Sequence, residues 1–152
     1  MKRMIAFFMC ALAMFLLKGG QVNNLSVFDR VEKVVFVLSE KNENFTDVLQ
    51  NGNDFYYTFD KIEAMNLLSS LDEMNGLKGV NLYFSKELSL SYFQERLDFL
   101  GERKECEEMD VYYGFYRHYK KFELVDGKKV NVQLVFTGDQ WIMGLPLILT
   151  GF

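Results

Sequence analysis

Apolar residues recur along this chain with two periods, and the switches between them lay out strands and helices in turn. Val34 to Leu38 is an uncharged, β-branched run and predicts a buried strand. Before it, Leu25, Phe28 and Val31 are spaced three apart, enough for one or two helical turns within Val22 to Glu32. Ser39 to Asn53 is polar and holds Gly52, so it predicts a loop, with a helical turn over Thr46 to Leu49. Asp54 to Phe59 alternates, with Phe55, Tyr57 and Phe59 on one side and Tyr56 and Thr58 on the other, the pattern of a second strand.

Asp60 and Glu63 have the spacing of a capping box. Ile62, Met65, Leu68, Leu71 and Met74 follow at three-residue steps and predict an amphipathic helix that Asn75-Gly76 ends. Gly79 to Phe84 predicts a third strand. Ser85 is placed as the cap of a second helix over Lys86 to Leu100, with Leu90, Phe93, Leu97 and Leu100 as its buried stripe and Gly101 as its stop.

From Val111 onward the period is two. Asp126-Gly127 between Phe122–Val125 and Lys128–Thr137 is a strong two-residue hairpin signal, because both turn positions need positive φ. Val130, Val132, Leu134 and Phe136 alternate with Asn131, Gln133, Val135 and Thr137, which predicts one core face and one largely wet face. Thr137 to Gln140 turns the chain into a last strand, Trp141 to Leu149, where Pro146 fits only an edge or a bulge. The fold class predicted is α+β: a curved antiparallel sheet, two helices packed on one face, and a C-terminal β-meander.

The N-terminus changes the picture of where the domain works. Lys2 and Arg3 precede an uninterrupted apolar run from Met4 to Leu17. As a helix this run reaches about 21 Å, short of the ~30 Å hydrocarbon core, so residues 1–21 read as a signal peptide or, if uncleaved, an N-terminal membrane anchor. Residues 22–152 then form a single α+β domain that is exported, either secreted or anchored outside the cytoplasmic membrane. Lys2, Arg3 and Lys18 belong to the segment, so the domain is more acidic than the formal net charge of −4 for the whole chain. Such a charge excludes a general nucleic-acid binder. Cys10 also belongs to the segment. Cys106 remains as the lone thiol, so no intrachain disulfide is expected. It reads as a small core residue, and Glu105, Glu107 and Glu108 beside it disfavour a nucleophile.

Little in the chain carries catalytic chemistry. There is one histidine, His118, no glycine-rich phosphate loop after a strand and no Gly-x-Ser-x-Gly elbow. No cofactor, metal site or catalytic residue is expected. The acidic pairs Asp72-Glu73 and Glu107-Glu108 read as solvated surface. One constellation stands out. Alternation puts Tyr112, Gly114, Tyr116 and His118 on one side of their strand, two rings and an imidazole over a dip, with Arg117, Lys120, Lys121, Lys128 and Lys129 close by. Tyr112, Tyr116, His118, Arg117, Lys120 and Lys121 are therefore the candidate binding residues, suited to an anionic or polar partner such as a sugar polymer, a headgroup surface or an acidic protein face. The competing reading is that the helices cover those tyrosines and the lysines guard a sheet edge.

Asp126-Gly127-Lys128-Lys129-Val130-Asn131-Val132-Gln133, followed after a strand by Gly144-Leu145-Pro146-Leu147-Ile148, resembles the C-terminal end of the YwmB family of exported Firmicutes proteins. The resemblance covers residues 80–152 and, loosely, the first half. This chain is shorter than the usual member and has a cut-down link at Thr137 to Gln140. The resemblance implies a fold similar to the TATA-box-binding protein, no DNA binding, and a sporulation- or envelope-related role. The expected function is an exported, non-enzymatic binding or interaction module of the cell envelope, its partner an envelope protein or an anionic polymer. The alternative is an envelope enzyme acting on cell-wall polymers with a pair of carboxylates.

Overall fold

The computed structural model describes residues 25–101, 104–106 and 109–149, the side chains of 104–106 excepted. The expected targeting segment, Glu107-Glu108 and the Cys106 side chain lie outside the described residues. The strands in chain order are β1 Val31–Leu38, β2 Val48–Asn51, β3 Asp54–Asp60, β4 Leu77–Ser85, β5 Phe99–Leu100, β6 Lys104–Cys106, β7 Met109–Phe115, β8 Glu123–Val125, β9 Lys128–Val130, β10 Val132–Phe136 and β11 Gln140–Leu145. Among the described residues two α-helices, α1 Lys61–Leu68 and α2 Leu90–Gln94, interrupt them. The main sheet runs β2-β3-β1-β4-β11-β10-β7-β5, with β6 also on β7, while β8 and β9 form a hairpin of their own. The strand pairs are antiparallel, so the class is α+β, as the periodicity predicts.

Register shows how the core is built. Phe59, Val34, Leu82, Met143, Leu134 and Tyr112 lie side by side across β3, β1, β4, β11, β10 and β7. Both helices press on this face, α1 through Ala64 and Leu68 and α2 through Tyr92 and Phe93. Phe93 is fully buried, its ring 5.2 Å from both Phe84 and Trp141. Trp141 Nε1 donates to the Leu88 carbonyl at 2.9 Å, which satisfies the indole inside the core.

Several local expectations change. The Asp60 box closes as read: Glu63 N–H donates to Asp60 Oδ1 at 2.9 Å and Asp60 N–H to Glu63 Oε2 at 3.2 Å. But α1 stops at Leu68 and only a 3-10 turn, Leu71–Glu73, follows. Its buried residues are Ala64 and Leu68, four apart, while Ile62 and Met65 are exposed, because a strict three-residue step drifts around a 3.6-residue helix. The second helix is cut to α2. Ser85 accepts from Glu87 N–H in a local turn rather than capping a helix, and Ser89 stands at the N-cap position. Past Leu97, Asp98 N–H donates to the Phe115 carbonyl and the chain joins the β7 edge as β5. Val48 to Asn51 is a strand, not a helical turn. The chain turns back through Gly52-Asn53, with Gly52 at φ 61°.

The second sheet face is largely covered rather than wet, although Thr58 at its β3 end is exposed. Thr58, Val35, Asn81, Gly144, Gln133 and Tyr113 line up across it, and Val35, Asn81, Asn131, Val135 and Ile142 are buried. Strand β11 ends at Leu145 and the segment after Pro146 folds onto this face. Ile148 N–H donates to Gln133 Oε1 at 2.9 Å, Leu149 N–H to Asn81 Oδ1 at 3.3 Å, and Tyr56 Oη to the Leu149 carbonyl at 3.4 Å. Gly144 makes room: a Cβ there would stand 2.2 Å from Ile148 N.

Candidate functional site

Strand β7 ends at Phe115, and the loop that follows, Tyr116 to Lys121, is pinned from four directions. Asn131, fully buried at the start of β10, holds its near side. Its Oδ1 accepts from Tyr116 N–H at 2.7 Å, and its Nδ2 donates to the Tyr116 and Tyr119 carbonyls at 2.8 and 2.6 Å. Asp98 receives Arg117, through the backbone N–H at 2.6 Å and through the guanidinium. Asp72 Oδ1 accepts from Lys120 N–H at 3.1 Å. Lys121 Nζ donates to the Leu77 carbonyl.

These contacts re-sort the candidate residues. Tyr112 and Tyr116, each 8% exposed, are core rings and do not form an open binding face. The alternation was right, but their side is the one the helices cover. The dip at Gly114 is filled, since a Cβ there would stand 2.6 Å from the Phe99 carbonyl oxygen of β5. Arg117 is committed to Asp98 and Lys121 to a backbone carbonyl. His118 and Lys120 are exposed, and His118 sits edge-on to Tyr116 at 5.2 Å.

Tyr116, His118 and Lys120 do converge with residues that the sequence did not connect to them. Together with Phe28, Leu68 to Glu73 and Tyr119 they line a half-open cleft of about 430 Å³. Its apolar side is Phe28 against Tyr116, edge-on with ring centres 6.0 Å apart, and Leu71. Its rim is charged by Asp72, Glu73 and Lys120, with His118 beside them and the Lys120 ammonium 4.0 Å from Asp72. Ser69 and Ser70 turn their hydroxyls back on the Asn66 and Leu67 carbonyls at the end of α1. Of the Asp72-Glu73 pair, read from sequence as solvated surface, Glu73 is exposed and Asp72 is half-buried at the edge of the cleft. The signal available was Ser69-Ser70, a poor continuation of a helix that forces a turn just where the acids follow. Among the described residues no group of three or more His, Cys, Asp or Glu is placed to hold a metal ion.

The electrostatics follow from how the loop is packed. Burial alone would raise the Asp98 carboxyl, but the Arg117 hydrogen bonds outweigh it and hold the group below its ordinary value. Burial, with the Asp72 charge adding, pushes the Tyr119 phenol well above its ordinary value. Burial also raises Tyr116, with Asp98 and Asp29 adding, and Tyr92, where the Arg30 backbone hydrogen bond opposes it.

Three phenols raised in the fold bind protons that the unfolded chain releases above about pH 10. Their contribution is complete below that pH and is lost as pH rises further. The melting temperature is expected to fall steeply above about pH 10, and Tyr119→Phe is expected to flatten that fall. A melting curve indifferent to pH across this window, followed by circular dichroism, would contradict the burial of these hydroxyls.

Comparison with protein-family models, with curated proteins and with solved structures gives no match.

Proposed function

We propose that the protein is an exported, non-enzymatic binding module of the cell envelope, with the cleft between α1 and the Tyr116–Lys121 loop as its ligand seat. One observation carries this reading: an aromatic wall and an ionic rim, drawn from three separate stretches of chain, enclose about 430 Å³, a size suited to a small ligand or an inserted side group. The apolar run behind Lys2 and Arg3 supports export, and the C-terminal resemblance to the YwmB family supports an envelope setting. The partner we propose is an envelope protein or an anionic wall polymer that sets an apolar group against Phe28 and meets the Asp72–Lys120 rim.

His118 is the sole histidine, so its ring resonances report on the cleft without ambiguity. Titration with soluble wall fragments, wall polymer and purified envelope proteins should give a saturable shift of those resonances with one of them. Lys120→Ala should weaken that binding by about fivefold to tenfold while leaving the melting temperature in place, because a charged hydrogen bond to ligand is lost from an exposed side chain. Absence of any shift in a folded protein would sink the cleft as a ligand seat. Breakdown of the wall fragments during titration would favour the wall-acting enzyme instead.

A further inference from the structure

The β8–β9 hairpin stands apart from the main sheet, and its two faces differ. Glu123 pairs with Val130, Leu124 with Lys129 and Val125 with Lys128. Val130 is 3% exposed, so the face it shares with Glu123, Val125 and Lys128 turns toward the body of the protein. Alternation then puts Leu124, Lys129 and Phe122 on the outer face. Leu124 is 67% and Phe122 44% exposed, large apolar groups set together at the surface. Lys129 Nζ lies over the Phe122 ring at 4.6 Å, and Lys128 Nζ lies 6.0 Å from the ring of Phe99, itself 46% exposed.

Charge chooses the partner. Lys120, Lys121, Lys128 and Lys129 outnumber Glu123 and Asp126 along this stretch, in a chain whose formal net charge is −4. A negatively charged plane therefore attracts this end of the molecule and repels the rest, which orients the hairpin toward it. Phe122 and Leu124 require a plane with an apolar layer just beneath its charges. That combination is a lipid headgroup region, with lysines at the phosphates and rings and aliphatic groups at the acyl boundary. We propose that the β8–β9 hairpin docks the protein on an anionic membrane surface, with Phe122 and Leu124 entering the boundary and Lys129 meeting headgroup phosphates.

The test uses the full chain carrying Leu124→Trp. The native Trp141 is 7% exposed and bonded through its indole nitrogen, so it is a poor reporter of lipid. The residue-124 signal separates hairpin docking from any anchoring by the N-terminal apolar run. With phosphatidylcholine vesicles containing phosphatidylglycerol, emission from position 124 should shift to the blue and be quenched by acyl-brominated lipid. Added salt should reverse both changes. Lys129→Glu should weaken the response by about fivefold or more, from the loss of one lysine at an anionic surface. The proposal is overturned if the protein floats with the vesicles while position 124 stays unquenched. Equal quenching in pure phosphatidylcholine also overturns it. A blue shift with a soluble phosphate polymer and no lipid would overturn it in favour of that polymer.

Discussion

Replacing Asn131 with Leu is expected to cost about 3–5 kcal/mol and to release the Tyr116–Lys121 loop. The side chain is fully buried and satisfies one N–H and two carbonyls that have no water to turn to. Leaving a buried polar group unpaired costs roughly 1–3 kcal/mol, and three are orphaned together, with part of the loss offset by the added apolar surface. Against a typical total of about 5–15 kcal/mol, this is a large fraction. Urea unfolding measures the loss, and hydrogen exchange at the Tyr116 amide measures release of the loop. Asn131→Asp sharpens the reading. It keeps the acceptor for Tyr116 N–H but sets a carboxylate against two carbonyl oxygens, so its folded-state pKa should be raised. That variant should regain stability as pH falls and the carboxyl takes a proton. A neutral effect of Asn131→Leu on both readouts would show that the loop is held by Arg117 and Lys120 instead.

The same residue shows where local pattern stops being informative. Asn131 was assigned to a wet face because it alternates with Val130 and Val132, and alternation alone cannot say what lies over a face. Both faces of β10 are covered, one by the helices and the other in part by the segment after Pro146, which folds back to Gln133 from 15 residues on, past the intervening strand. Short-range devices were legible. The Asp60–Glu63 box needs only its own turn, and Asp126-Gly127 takes positive φ at both positions, 51° and 76°, as a two-residue hairpin demands. The second helix was overextended for the opposite reason. Leu97 is buried as its spacing said, yet Asp98 and Phe99 are claimed by the β7 edge, a contact that periodicity does not encode.

For the site, the sequence marked the right loop and the wrong face of it. Aromatic and basic density around Tyr112 to Lys121 flagged a real concentration of structure. It could not show that Asp98 and Asp72 would engage Arg117 and Lys120. Nor could it show that Phe28 and the end of α1 would close a cleft over Tyr116. Those partners lie between 19 and 48 residues away for the hydrogen bonds, beyond the reach of any local window.

Gly144→Ala should be the second large effect, about 3 kcal/mol, the upper end of what overpacking costs. A Cβ at this position would stand 2.2 Å from both Ile148 N and Leu147 C, and backbone cannot swing aside as a side-chain tip can. The segment after Pro146 must lift, and lifting it breaks the bonds from Ile148 to Gln133 and from Leu149 to Asn81. Asn81 is fully buried, so the damage reaches the middle of the sheet. Gly79→Ala is the informative partner. Its Cβ would meet Leu149 Cδ1 at 2.7 Å, which can rotate away, and the Leu145 carbonyl at 2.9 Å, which cannot. Gly79→Ala should therefore cost less than Gly144→Ala, and Leu149→Ala should relieve part of it. Hydrogen exchange locates the change: protection at Ile148 and Leu149 should vanish in Gly144→Ala while Phe36 and Leu82 keep theirs. An unchanged melting temperature with protection retained would mean that the segment does not lie against Gly144. The burial of the second sheet face would then need another cover.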